Sequence, residues 1–177
     1  MRKIIAALSV MAVLTLAGCS GGNLQHRAYI RAAAVENGRV ALAFFDDTEP
    51  VAVDTGSLAE ALKEAELRCG MEIFTGYTEL IVLGDCPGEQ VLSGMLTDWR
   101  VSPECIVAGS CGSACDLLTG GSAELIEDSA KQAAKLGKSP HSGIITVLSG
   151  LLSEENSATL PLADNHGVCG ELTIRGD

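Results

Sequence analysis

Seven cysteines and three histidines carry most of the nucleophilic and metal-binding capacity of this chain, and one cysteine is set apart by what precedes it. Arg2 and Lys3 lead into a mostly apolar run from Ile4 to Leu16, and Leu16-Ala17-Gly18-Cys19 closes it. A basic n-region, an apolar h-region shorter than the roughly 20 residues of a spanning helix, and small residues before a cysteine make a bacterial lipobox. The chemistry expected there is thioether attachment of diacylglycerol to Cys19, with cleavage just before it. Residues 1–18 are then a lipoprotein signal peptide, and Cys19 is the lipid site.

The other candidate groups do not converge. Cys111 and Cys115 are four apart and would share a helix face, but structural zinc sites pair two such knuckles and no second one exists. Their spacing also excludes a Cys-x-x-Cys redox motif. His26, His141 and His166 lie in three separate segments, without an HExxH pair. Gly109-Ser110-Cys111-Gly112-Ser113 lies between a strand and a helix, as a phosphate cradle would, but matches neither GxGxxG nor GxxxxGK[ST] and has no P-loop Lys. It reads as a β–α connection needing small residues. Glu154-Glu155 and Glu124-Glu127-Asp128 read as solvated faces or helix ends, and no GxSxG elbow is present. The residues therefore give no catalytic set, no metal site and no cofactor beyond the lipid on Cys19; an enzyme is not expected.

Removing residues 1–18 from 177 leaves 159, enough for one domain with a core, and leaves ten Lys/Arg against 23 Asp/Glu, a net charge near −13. Nucleic acid and anionic headgroups repel such a surface, so membrane attachment falls to the lipid. Six cysteines remain after Cys19, which allow 15 complete pairings. An oxidising compartment favours disulfides, whereas Cys69 and Cys105 also suit a hydrophobic core.

The elements follow from periodicity. Residues 19–25 form a short tether. Tyr29–Val35 and Arg39–Phe45 are strand-like runs joined at Asn37-Gly38, a hairpin pair. Ser57-Leu58-Ala59-Glu60 is a capping box opening a helix whose apolar stripe is Leu58, Ala61, Leu62, Ala65 and Cys69, with Gly70 as its stop. Met71–Phe74 and Glu79–Gly84 are strands, the second apolar enough to be covered on both faces. Asp85-Cys86-Pro87 starts a helix whose stripe runs from Val91 to Trp99. Cys105–Ala108 is a strand, Ala114–Leu118 a short helix, Ser122–Leu136 a charged helix with Ile126, Ala130, Ala133 and Ala134 inward, and Ile144–Leu152 an apolar helix. Ala158–Leu162 and Glu171–Arg175 end the series as strands. The order ββα ββα β αα α ββ predicts one α/β (α+β) domain over residues 26–177, a single mixed sheet packed with several helices.

Three stretches carry a resemblance: Gly76-Tyr77-Thr78-Glu79-Leu80-Ile81-Val82-Leu83-Gly84, Leu96-Thr97-Asp98-Trp99-Arg100-Val101-Ser102-Pro103-Glu104, and Ile106-Val107-Ala108-Gly109 leading to Ala114-Cys115-Asp116-Leu117-Leu118. In order and spacing they resemble the N-terminal domain of the Ger(x)C spore-germination lipoproteins, the C subunits of germinant receptors. The family also has a lipobox, an Asp near the end of its opening strand pair (here Asp46 or Asp47) and a Gly-Ser helix start like Gly56-Ser57-Leu58. The resemblance covers about residues 25–165. It departs at Tyr77, where the family has His, and at Ser20-Gly21-Gly22, where the family has Trp-Asp-Arg. Family members continue through two further domains, whereas this sequence stops at Asp177, so a short form is expected.

The resemblance implies a lipid-anchored, non-enzymatic module on the extracytoplasmic face of the membrane, the spore inner membrane for a germinant receptor. Its partners would be integral-membrane A- and B-type subunits. Only Cys19 takes a defined role from the family. The alternative from the residues is a small-ligand-binding lipoprotein of a transporter, against which stands the low aromatic content of 3%.

Overall fold

The computed structural model describes residues 27–176. The leader 1–18, Cys19, the tether 19–25 and His26 lie outside the described residues. The chain folds as a mixed α/β sandwich, built from β1 (Arg27–Glu36), β2 (Arg39–Phe44), β3 (Val51–Asp54), α1 (Leu58–Cys69), β4 (Glu72–Phe74), β5 (Leu80–Leu83), α2 (Gly88–Thr97), β6 (Ile106–Ser110), α3 (Ala114–Thr119), α4 (Ala123–Lys135), α5 (Ile144–Leu151), β7 (Ser157–Asp164) and β8 (Gly167–Arg175).

The strands lie in the order β3-β2-β1-β5-β6-β7-β8, with β4 paired to the start of β1. The centre, β1-β5-β6-β7, is parallel, and hairpin partners close both sides antiparallel. Parallel neighbours need a helical crossover, so α2 joins β5 to β6 and three helices join β6 to β7. The four residues of β5 are all buried, as a strand covered on both faces must be. β4 and β5 run along one edge of β1, Tyr29 facing Phe74 and Ala32 facing Leu80, so residues 75–79 must loop out between them.

Helices α1, α2 and α5 cover one face, with Ile30, Leu42, Ile81, Leu92, Met95, Trp99 and Ile144 in its core. Helices α3 and α4 cover the other, where alanines 32, 34, 41, 43, 108, 114 and 163 prevail. Ser57 caps α1 by accepting from the Glu60 amide at 3.2 Å. The return half of the capping box passes through Thr55, whose hydroxyl takes the Ser57 amide at 3.2 Å and donates toward Glu60 at 3.3 Å.

Some expectations need correction. β3 was absent from the sequence-derived order, because the four residues after Pro50 are too short for a strand pattern; pairing with β2 makes them one. Helix α2 begins after Pro87, so Asp85 and Cys86 precede it, and it ends at Thr97 with Trp99 beyond it, although Trp99 is buried with the rest of the stripe. On α4, Ala133 and Ala134 are half-buried and Glu127 takes an inward position instead, only 2% exposed.

Candidate functional site

The glycine turn after β6 is where an anion would sit, and the protein places its own carboxylate there. Glu36, the last residue of β1, accepts from the Ala114 amide at 2.9 Å and from the Ser113 hydroxyl at 3.0 Å. Ser113 in turn caps α3 by accepting from the Asp116 amide at 3.1 Å, and the Gly112 and Cys111 amides are used by Ser110 Oγ and the Ala163 carbonyl at 3.3 and 3.0 Å. Arg39 bridges Asp116 at 2.8 Å and approaches Glu36 at 3.6 Å. The positive end of the helix is thus neutralised from within. Gly84 makes the approach possible, since a Cβ there would stand 2.9 Å from the Glu36 Cβ and 3.3 Å from that of Ala114.

Cys69 and Cys86 are half-buried, and the other four described cysteines separate into two kinds. Cys105 and Cys115 are buried; burial pushes the Cys105 thiol far up and raises the Cys115 thiol to about 12, so both stay protonated as core residues. Cys111 and Cys115, which share a four-residue spacing, are not brought together as ligands: Cys115 faces the Ala34 carbonyl at 3.9 Å. Cys111 instead meets the exposed Cys169, Sγ to Sγ 3.0 Å, a pairing that no sequence spacing announced. Their hydrogen bond is the first cause raising the Cys169 thiol to about 11. His141 and His166 are exposed in separate loops, and no group of three His, Cys, Asp or Glu among the described residues could hold a metal ion.

At the opposite ends of the parallel strands lies a charged cluster. Glu127 on α4 is paired with Lys131 and stands 3.4 Å from the Arg31 Nε, while Arg31 also reaches Glu124 at 3.4 Å and lies 5.2 Å over the Phe45 ring. Burial, the largest influence on Glu127, pushes its carboxyl up. Hydrogen bonds with Lys131 and Glu79 and the charges of Lys131 and Arg31 outweigh it and hold the carboxyl below the usual Glu range. Glu79 moves the other way, raised by burial first and then by Glu127. This cluster ties α4 to β1. The sequence pattern of Glu124-Glu127-Asp128 predicts solvated faces or helix ends, but Glu127 stands four residues after Ala123 and three before Ala130, on the buried side of the helix.

Beside it is an aromatic surface. Tyr29, Phe74 and Tyr77 touch pairwise, ring centroids 5.2–5.8 Å apart. Tyr77 is 62% exposed and Phe74 39%. The turn that presents Tyr77 is fixed: Thr78 donates from its amide and hydroxyl to the Thr75 carbonyl at 3.1 and 2.6 Å, and the Thr75 hydroxyl donates to the Trp99 carbonyl. Gly76 lets the Phe74 ring pack against the turn, because a Cβ would lie 2.9 Å from that ring.

A groove of about 390 Å³ opens between the start of α1, the β1–β2 turn and one side of α2, lined by Asn37, Arg39, Ser57, Gln90, Gly94 and Asp98 among others. Among the described residues no helix is long and apolar enough to cross a membrane. No family model, no curated protein and no solved structure matches this chain.

Proposed function

We propose that this chain is a lipid-anchored, extracytoplasmic, non-enzymatic subunit of a spore germinant receptor that works through protein contacts. The observation that carries the reading is the lipobox ending at Cys19, eight residues ahead of the first strand. The three stretches that resemble the Ger(x)C N-terminal domain fall on β5, on α2 with the loop after it, and on β6 with α3, so the likeness follows adjacent elements of the sheet. The anion position at α3 is filled by Glu36 and the buried thiols are held protonated, which favours a contact role over chemistry.

Labelled palmitate and fractionation test the anchor: the native chain takes up label and sediments with membranes, and Cys19→Ala does neither. Pull-down of the native chain from detergent-solubilised membranes then tests the receptor role, with recovery of A- and B-type receptor subunits expected. The groove beside α2 favours a second reading, a small-ligand-binding lipoprotein of a transporter. Recovery of a permease and its ATPase in the same pull-down would replace the first reading with this one.

A further inference from the structure

We propose that the surface formed by Tyr29, Phe74 and Tyr77 is a membrane-contact face, resting at the headgroup boundary of the bilayer that holds the lipid on Cys19. The inference rests on the lipid-anchor reading and adds to it which end of the domain meets the membrane.

Distribution is the first argument. The chain has six aromatic residues, and four of them, Tyr29, Phe45, Phe74 and Tyr77, gather where β1 begins, with Phe45 and Phe74 among the exposed large apolar residues. Tyrosine has an apolar ring and a polar tip, which suits it to the interface between acyl chains and headgroups. Rigidity is the second. The Thr75–Thr78 turn and the tight fit of Gly76 hold Tyr77 outward before any contact forms, so little ordering is left for binding to impose.

Reach is the third and decides the occupant. Eight peptide steps separate Cys19 from Arg27, a span of at most ~28 Å. Tyr29 follows two residues later on β1, roughly 7 Å along the strand. A lipid held on that leash brings this end to the bilayer. The β1–β2 turn at Asn37 stands about 26 Å further along the strand, beyond the roughly 5–10 Å depth of an interfacial contact. Arg27 is bridged to Glu72 at 2.9 Å and Arg31 to Glu124 at 3.4 Å beside the patch, so neither cation stands unpaired at the boundary.

Acylated native chain in phosphatidylcholine vesicles containing brominated acyl chains provides the test. A Trp placed by Tyr77→Trp keeps an aromatic ring in place, and Asn37→Trp puts a probe on the exposed far turn; the buried Trp99 gives both the same background. Bromolipid is expected to quench the Tyr77→Trp probe at least twofold more than the Asn37→Trp probe. Equal quenching, or none in chains shown by intact mass to carry the lipid and to float with the vesicles, overturns the contact face alone and leaves the patch to a protein partner. A chain whose mass shows no lipid on Cys19 overturns the anchor and the face with it.

A different observation carries a second inference: we infer that Cys111 and Cys169 form a disulfide in the mature protein. Strand β8 carries one extra residue against β7, between Gly170 facing Leu162 and Val168 facing Ala163, and that residue is Cys169. Such a bulge turns a side chain out of its strand's regular alternation, and Ser129 on α4 fixes it by accepting the Val168 amide at 3.0 Å. Cys111 comes to the same place from the end of β6, its amide on the Ala163 carbonyl. Both thiols are exposed, so a disulfide-bearing oxidant can reach them. Exchange would break two S–H bonds, form one S–S bond and pass two electrons and two protons to the oxidant, which leaves as two thiols. Native chain incubated with oxidised glutathione, alkylated and digested without reduction should yield the Cys111 peptide linked to the Cys169 peptide, with the link lost in Cys169→Ser. Both thiols alkylating freely after that treatment, or either linking to another cysteine, overturns the pairing.

Discussion

The two faces of the sheet are built from different side chains, and the difference decides where polar groups can work. Under α1, α2 and α5 the core is mainly Val, Leu and Ile with Phe44, Met95 and Trp99, and its stability comes from volume. Under α3 and α4 the sheet offers mainly alanine, which lets the helices lie close to the backbone. At that distance short polar links can bridge the layers: Glu36 reaches the Ala114 amide, and Cys115 lies beside the Ala34 carbonyl. The described polar clusters follow this division, with Glu36, Glu127 and Arg31 all engaging the helices of the alanine face.

Breaking the bulky face should cost most. Trp99→Ala removes a side chain 3% exposed and is expected to lower stability by about 3–5 kcal/mol. A urea melt with an unmoved midpoint would put Trp99 outside the core. On the alanine face the damaging change runs the other way. Ala34→Leu adds volume where Ala34 is fully buried, and is expected to cost about 1–3 kcal/mol. A neutral or stabilised variant would mean the face has spare room and the contrast fails.

A smaller loss sharpens the same contrast. Glu36→Ala leaves the Ala114 amide, the first of α3, without its carboxylate and should cost about 0.5–2 kcal/mol, the range for losing a helix cap. Amide hydrogen exchange at Ala114 should quicken with it. Unchanged exchange would show that another group serves as the cap.

The smallest effect concerns the sign of a titration. Glu79 is raised above the ordinary Glu value by burial and then by Glu127, so the folded state holds its proton more tightly than the unfolded one. Its ionisation weakens the fold as pH rises from the ordinary value through the raised one. Glu79→Gln is therefore expected to stabilise the protein slightly at neutral pH, with the gain vanishing below the ordinary Glu range. A gain that grew toward acid would reverse the assignment. Glu127, held low, gives the opposite dependence: its contribution is present above the ordinary Glu value and is lost as pH falls through the lowered one.

Much of the architecture was readable in the residues. Asn37-Gly38 announced the first hairpin, Ser57 and Gly70 bounded α1, and the run Leu80–Leu83 declared a strand buried on both sides. These are local rules, in which a few neighbouring residues fix backbone geometry or face. The lipobox is of the same kind, a contiguous pattern ending at Cys19. What the sequence could not assign depended on residues far apart in the chain. Cys111 and Cys169 are 58 residues apart, and only the pairing of β6 and β8 with β7 brings them together. Glu36 and Ala114 are 78 apart, so nothing in the glycine turn foretold that its anion position would be filled. Glu127 looked solvated because its own helix is charged, and Arg31, from a strand 96 residues earlier, is what allows it to be buried. Tyr29 and Tyr77 became one surface because β4 and β5 both pair with β1, which sets the loop between them, and Tyr77 with it, beside Tyr29. Periodicity reports which side of an element is apolar; which distant element that side meets is decided by how the sheet is wound.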